Sequence, residues 1–163
     1  MISIIVAIAQ NYAIGQKGDL LCHLPDDLKH FKAVTAGHTV IMGERTFYSL
    51  PKHPLPNRRN IVITDQVGKQ FDGAEAAYSI DEAVALVAHE QEAFIIGGGS
   101  IYRQFMPIAD KLYITHIDHS WPDADTFFPV IEPDEWQLIS SELHPKDEAH
   151  PYDLHFCEYV RKK

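Results

Sequence analysis

The sequence predicts an α/β fold: a central, mixed but mostly parallel sheet with helices on both faces and a C-terminal antiparallel hairpin. Three observations carry this. Short apolar runs rich in β-branched residues recur, segments with helical spacing lie between them, and after Thr126 the pattern changes to two long strand-like runs around a proline-containing loop. Strands that alternate with helices are joined by crossovers and lie parallel, whereas two strand runs joined by a loop fold back on each other.

The first strand is "ISIIVAIA" (2–9), a continuous apolar run suited to burial on both faces. A helix is expected over 25–35, because Pro25 fits the first helical position and the carboxylates Asp26 and Asp27 suit the positive end of the helix dipole. "TVIMG" (39–43) is the next strand, followed by a short helix over 45–50. "NIVIT" (60–64) precedes a helix over 80–88, "AFIIG" (93–97) runs into a helix over 100–106, and "KLYITHI" (111–117) ends the alternating part. "EWQLISSELH" (135–144) and "DLHFCEYVR" (153–161), around a loop with Pro145 and Pro151, form the hairpin. Ligands of such open sheets sit beyond the carboxyl ends of the parallel strands, so chemistry is expected in the loops after 9, 43, 64, 97 and 117.

At 163 residues, 45% of them hydrophobic and with no low-complexity tract, the chain is read as a single domain over 1–163 with a real core. A net charge of −9 argues against a nucleic-acid partner, which needs a basic face. The opening run "MISIIVAIAQ" lacks a basic leader and is too short to span a membrane, so no membrane association is expected. Two cysteines, Cys22 and Cys157, are expected to stay reduced, and the protein to be cytoplasmic and monomeric. Ten histidines occur without HExxH or CxxC spacing, so no metal is expected; in "THIDH", His116 and Asp118 read as solvated side chains.

Four stretches can carry chemistry. In the helix over 25–35, Leu24, Leu28, Phe31 and Val34 form one apolar stripe at about 100° per residue, and Asp27 falls within it. Asp26 lies off the stripe and reads as a solvated helix-start charge. A carboxylate on a buried face needs a donor, which periodicity leaves open between a partner inside the fold and a ligand edge with two adjacent N–H groups. "FIIGGGSIYRQF" (94–105) runs from strand through three glycines into a helix, and "VIMGERTF" (40–47) repeats that logic; two such turns on one sheet suit the two ends of a pyrophosphate. In "LPKHPLPNRRN" (50–60), Lys52, Arg58 and Arg59 are either surface charges or a carboxylate clamp.

Taken together, these stretches resemble the bacterial single-domain dihydrofolate reductases over essentially the whole chain. The resemblance rests on "ISIIVAIAQNYAIG" (2–15), "LPDDLKHFK" (24–32), "VIMGERTF" (40–47), "LPNRRNIVIT" (55–64), "IIGGGSIYRQF" (95–105), "LYITHID" (112–118) and "DADTFFP" (123–129). It implies the three-layer fold of that family and NADPH-dependent reduction of dihydrofolate to tetrahydrofolate, with dihydrofolate and antifolate inhibitors as ligands. It implies that Asp27 grips pterin N3 and the 2-amino group and favours N5 protonation, and that Leu20 and Cys22 join it at the catalytic centre from a mobile lid over 15–23, braced by the loop of Asp125. Ile5, Val6, Ala7, Leu28, Phe31, Leu50, Leu55, Ile96 and Thr115 would line the folate pocket, with Arg58 on the glutamate carboxylate and Lys32 and Lys52 nearby. NADPH would meet Ala7, Ile14 and Gly15 at the nicotinamide end, Gly43, Arg45, Thr46 and Thr64 on one phosphate side, and Ile96, Gly97, Gly98, Gly99, Ser100, Ile101 and Tyr102 on the other.

Two positions depart from the family. Cys22 stands where the family usually has tryptophan, which implies a roomier pocket and an altered water path. Glu44 stands where a basic residue commonly meets the adenosine 2′-phosphate, which makes NADH use the live alternative to NADPH. Two rival readings are a reductase of the same fold acting on a pyrimidine-ribityl phosphate and a silent pterin-binding protein.

Overall fold

The structure, a computed structural model, describes residues 1–15 and 24–162. Leu20, Cys22 and most of the expected lid lie outside the described residues. One eight-stranded sheet organises the molecule, with spatial order β5-β4-β3-β6-β1-β7-β10-β9. Its members are β1 (Ile2–Ala9), β3 (Thr39–Gly43), β4 (Asn60–Ile63), β5 (Glu75–Ala77), β6 (Ala93–Ile95), β7 (Lys111–Ile117), β9 (Trp136–His144) and β10 (Leu154–Arg161). All pairings from β5 to β7 are parallel, and β10 joins β7 and β9 antiparallel. The sheet is therefore mixed and mostly parallel, with the hairpin at one edge.

The central strands are apolar on both sides because each side has its own core. Ile4, Ile41, Ile61 and Ile95 belong to one buried cluster with Ala83 of α3 (Ile80–Leu86) and Ile101, Tyr102 and Phe105 of α4 (Gly99–Phe105). Their sequence neighbours Ile5, Val40, Met42, Val62 and Phe94 belong to a second cluster with Phe47 of α2 (Glu44–Ser49), against which Phe31 and Val34 of α1 (Pro25–Thr35) pack. Successive strand residues point to opposite faces, so these two clusters are the two faces of the sheet, each covered by helices.

Three short strands were not expected: β2 (Ala13–Gly15), β8 (Thr126–Phe127), and β5 at the sheet edge. At two or three residues each, they are too short for an alternating pattern to declare itself. β2 pairs with β8, and the Asp125 N–H donates to Gly15 O at 3.1 Å, so the 123–129 stretch lies beside the segment that leads into residue 16.

Candidate functional site

The start of α1 is held from far away in sequence. Leu24 in the capping position offers no side-chain acceptor. Instead the Asp26 N–H donates to His150 Nε2 at 3.0 Å, and the Asp26 carboxylate accepts from His144 Nε2 at 2.6 Å, with Lys29 at 3.7 Å. Asp26 is thus not the solvated charge expected of it. Its two histidine partners lie 118 and 124 positions away, beyond any helical wheel. His144 holds the Asp26 carboxyl below the usual carboxylate range, and Asp26 in turn raises His144.

Asp27, one residue further, points elsewhere. Its Oδ1 accepts from the hydroxyl of Thr115 on β7 at 2.6 Å, and Thr115 is itself buried. Burial pushes the Asp27 carboxyl up; the Thr115 hydroxyl opposes this, as do the His30 and His150 imidazoles whenever they carry charge. Oδ2 has no hydrogen-bond partner among the described residues. An internal partner therefore exists, and among the described residues it engages one oxygen only, an arrangement that suits a ligand N–H at the other.

Around this carboxylate the predicted pocket residues divide. Ile5, Phe31, Leu50, Leu55 and Ile96 share one apolar cluster. Ala7 lies directly beside Thr115 on the neighbouring parallel strand, and Val6 and Ile14 pack against the opposite core. Leu28 is 45% exposed, so the α1 stripe is not buried along its length; Leu24 is covered while Leu28 faces outward beside Asp27, as a wall of an open cleft would. Of the basic cluster, Arg59 is spent on Glu75 and Glu90. Arg58 is tied to the far end of α1 by Nε–H to Thr35 Oγ1 at 2.9 Å and Nη2–H to Lys32 O at 3.3 Å. Lys32 and Lys52 are exposed side chains nearby in the chain.

The two glycine turns meet. Gly43 N–H donates to Gly97 O at 2.9 Å, which joins the end of β3 to the turn that leads into α4. Gly97 has φ +132°, a conformation open to glycine, and a Cβ there would lie 3.4 Å from Thr46 Oγ1 and 3.5 Å from the Tyr102 hydroxyl; at Gly98 it would again meet Thr46 at 3.4 Å. A Cβ on Gly99 would meet Thr126 at 2.7 Å and Ile14 at 3.9 Å, and one on Gly43 would meet Ile101 at 3.1 Å. Tyr102 is anchored by donating to Ile5 O at 3.0 Å. Neither α2 nor α4 has a side-chain cap, so first-turn N–H groups stay available to an anion, with Arg45 and Ser100 exposed beside them. These contacts fit a dinucleotide pyrophosphate lying close to backbone.

Glu44 is already occupied. Its carboxylate accepts from the Thr64 hydroxyl and from Lys69 Nζ, both at 2.6 Å, which holds its carboxyl below the usual range. Lys69 was not expected, because it reaches Glu44 from 25 positions away. Of the two side chains expected to be solvated, His116 is half-buried and pairs with the Tyr159 hydroxyl at 2.7 Å, whereas Asp118 is exposed as expected and accepts from Gln10 at the surface.

A family model described as dihydrofolate reductase matches residues 1–161. The chain is 43% identical to dihydrofolate reductase of Bacillus subtilis (strain 168) over 162 residues, covering 99% of this chain and 95% of the relative. It is 44% identical over 163 residues to dihydrofolate reductase type 3 of Salmonella typhimurium, covering 100% and 99%. Among solved structures, the dihydrofolate reductase from Enterococcus faecalis complexed with NADP(H) and RAB-propyl superposes with TM-score 0.92 at 34% identity, covering 100% of this chain and 97% of that one.

Proposed function

The chain belongs to the dihydrofolate reductase family, and on that premise we propose that Asp27 is the residue that anchors the pterin and promotes its protonation. The protein is an oxidoreductase that uses NADPH to reduce 7,8-dihydrofolate to 5,6,7,8-tetrahydrofolate, which sets aside the pyrimidine-reductase and silent-binder readings. When bound, NADPH supplies the hydride that passes from nicotinamide C4 to pterin C6. The chain must do the rest: hold the ring, keep bulk water from the reacting face, and favour a proton on N5.

Asp27 suits that task. Thr115 fixes the carboxylate through one oxygen and leaves the other for the ring, so an N–H of the pterin edge is received by a negatively charged acceptor. A carboxylate beside the ring favours the protonated, more electrophilic form of the substrate, with the proton delivered to N5 through water. Ile5, Phe31, Leu50, Leu55 and Ile96 supply the apolar walls that keep this interaction in low dielectric. Ala7 and Leu28 complete the pocket, which Val6, its side chain packed against the opposite core, meets through backbone alone, and Arg58, held against α1, receives the glutamate carboxylate with Lys32 and Lys52 adding positive charge.

For the cofactor, Gly43, Arg45, Thr46 and the run from Ile96 to Tyr102 form the pyrophosphate side, with Ala7, Ile14 and Gly15 at the nicotinamide end. Thr64 belongs to this side through Glu44, whose charge Lys69 offsets; this supports NADPH over NADH. Leu20 and Cys22 are assigned to the catalytic centre by resemblance alone. The chain acts as a one-domain monomer in the cytoplasm; among the described residues no helix is long and apolar enough to cross a membrane. The observation that carries this reading is the half-buried Asp27 carboxylate on Thr115. Its test is NADPH oxidation with dihydrofolate by wild type and Asp27→Asn, where equal rates at neutral pH would refute it.

A further inference from the structure

His144, the last residue of β9, and Asp147 and His150 in the loop that follows it all converge on the start of α1. His150 is buried, at 2% exposed, and both its ring nitrogens are committed. Nδ1 lies 2.8 Å from Asp147 Oδ1, and Nε2 lies 3.0 Å from the Asp26 N–H. A carboxylate only accepts and a backbone N–H only donates, so His150 is the tautomer with its proton on Nδ1. Asp147 is fixed in turn: the same oxygen accepts the N–H groups of Ala149 at 3.0 Å and His150 at 2.8 Å. His144 adds a second hold on residue 26 by donating to its carboxylate at 2.6 Å.

Asp26, His144, Asp147 and His150 bring ligand-type atoms within 4.8 Å of one another, close enough to be weighed as cation ligands. Their lone pairs argue otherwise. Binding through His150 would break the Asp26 N–H bond, and His144 Nδ1 is buried without a partner, whereas a metal-bound imidazole needs an acceptor for its other N–H. The cluster is a clamp.

We propose that His150 is a positioning residue for dihydrofolate reduction: it caps α1 from the β9–β10 loop, with Asp147 fixing its tautomer, and so sets the place of the Asp27 carboxylate beside Thr115. The proposal rests on the reading of Asp27 as pterin anchor. A histidine 124 positions away stands where a local Ser, Thr or Asp usually caps a helix, so the first turn that carries Asp27 takes its position from the hairpin loop and not from its own sequence. Catalytic geometry is sensitive to such placement, since a shift of about 1 Å costs roughly a hundredfold.

The test measures kcat and KM for dihydrofolate and for NADPH from pH 5.5 to 9 in His150→Phe, His150→Gln, Asp147→Ala and Asp27→Asn. The charged and titratable groups that face the clamp and Asp27 are Asp26, Lys29, His30, Tyr102, His144 and Asp147. His150→Phe keeps the bulk and removes both hydrogen bonds; kcat/KM for dihydrofolate is expected to fall roughly five- to twentyfold with an altered pH profile, while KM for NADPH stays within about twofold. His150→Gln, whose amide oxygen reaches the Asp26 N–H, restores most of the loss. Asp147→Ala alters an exposed residue and keeps the test open if His150→Phe does not fold; it is expected to lose roughly two- to fivefold in the same direction. A merely structural role would lower Tm and leave the dihydrofolate pH profile of folded protein unmoved, which overturns the proposal, as does an unchanged profile in Asp147→Ala. If Asp27→Asn loses activity and the loop variants do not, the positioning proposal alone fails; if Asp27→Asn is fully active, the anchor reading fails.

Discussion

Asp27→Asn isolates one oxygen. The asparagine amide has the same volume and its oxygen can still accept from the Thr115 hydroxyl, now 2.6 Å from Asp27 Oδ1, so the contact inside the protein survives. What changes is the second position, where an acceptor becomes an NH2 donor and the negative charge is lost. A pterin edge with two N–H groups then loses one charge-assisted hydrogen bond, about 1.5–3 kcal/mol, and keeps an unpaired N–H in a buried place, about 1–3 kcal/mol more. Together, about 2.5–6 kcal/mol corresponds to roughly sixtyfold to twenty-thousandfold in kcat/KM for dihydrofolate at pH 7.

The pH dependence has a definite sign. Burial raises the Asp27 carboxyl above the ordinary 3.8, so wild type itself loses the charge as pH falls through that raised value, while solution increasingly protonates the substrate. The gap between wild type and variant should therefore narrow at low pH. The same raised value makes the ionised carboxyl a cost to folding, because the native state binds more protons than the unfolded chain between 3.8 and the raised value. Asp27→Asn should be more stable than wild type at neutral pH in urea unfolding while it is far less active. NADPH oxidation followed from pH 5 to 8 checks the first half. A neutral-pH rate within about threefold of wild type, or a gap that stays constant down to pH 5, would refute the reasoning.

Replacing Lys69 with methionine leaves the Glu44 carboxylate without its cation beside the expected phosphate side; kcat/KM should fall roughly five- to tenfold more for NADPH than for NADH, and equal losses would remove Glu44 and Lys69 from cofactor choice. The Asp26–His144 pair should shape stability with pH. His144 is raised above 6.5, so its contribution is full below 6.5 and lost as pH rises through the raised value, whereas Asp26, lowered from 3.8, contributes above 3.8 and loses that as pH falls through its lowered value. His144→Gln should flatten the decline above pH 6.5 in urea unfolding. Arg58→Leu should raise KM for dihydrofolate at least roughly tenfold and leave reduction of a pterin without the glutamate tail near wild type.

The sheet was legible because its central strands are long and apolar: "ISIIVAIA" and "KLYITHI" predict β1 and β7 to the residue, and "TVIMG" predicts β3. The elements that escaped notice, β2, β5 and β8, are two or three residues long and owe their place to pairing partners. At the site, spacing placed Asp27 on the apolar stripe but could not supply Thr115, 88 positions on. It also misjudged Asp26, since a wheel sees only residues on the same helix, and the groups that hold Asp26 come from the opposite end of the chain. Of two adjacent arginines, nothing local told which would meet carboxylates inside the protein; Glu75 and Glu90 claim Arg59 only once β4 and β5 are side by side, while Arg58 is held by Thr35 and by backbone carbonyls.

These long-range contacts share a design. α1 is gripped at its start by His150 and His144 and near its end by Arg58, which donates to Thr35 and Lys32. Asp27 and Thr35 are eight positions apart, about 12 Å along a helix axis. On the proposed roles of Asp27 and Arg58, a substrate with a pterin at one end and a carboxylate tail at the other is read by a single rigid rod, with the ring at the first turn and the tail at the last. The spacing between the two recognition points is then fixed by helix geometry, and what the rest of the chain must supply is the rod's placement. That is why the clamps come from the β9–β10 hairpin and from the loop before β4, on either side of it, and why loosening either clamp should affect the two ends of the substrate unequally: the hairpin clamp through the ring, the arginine clamp through the tail.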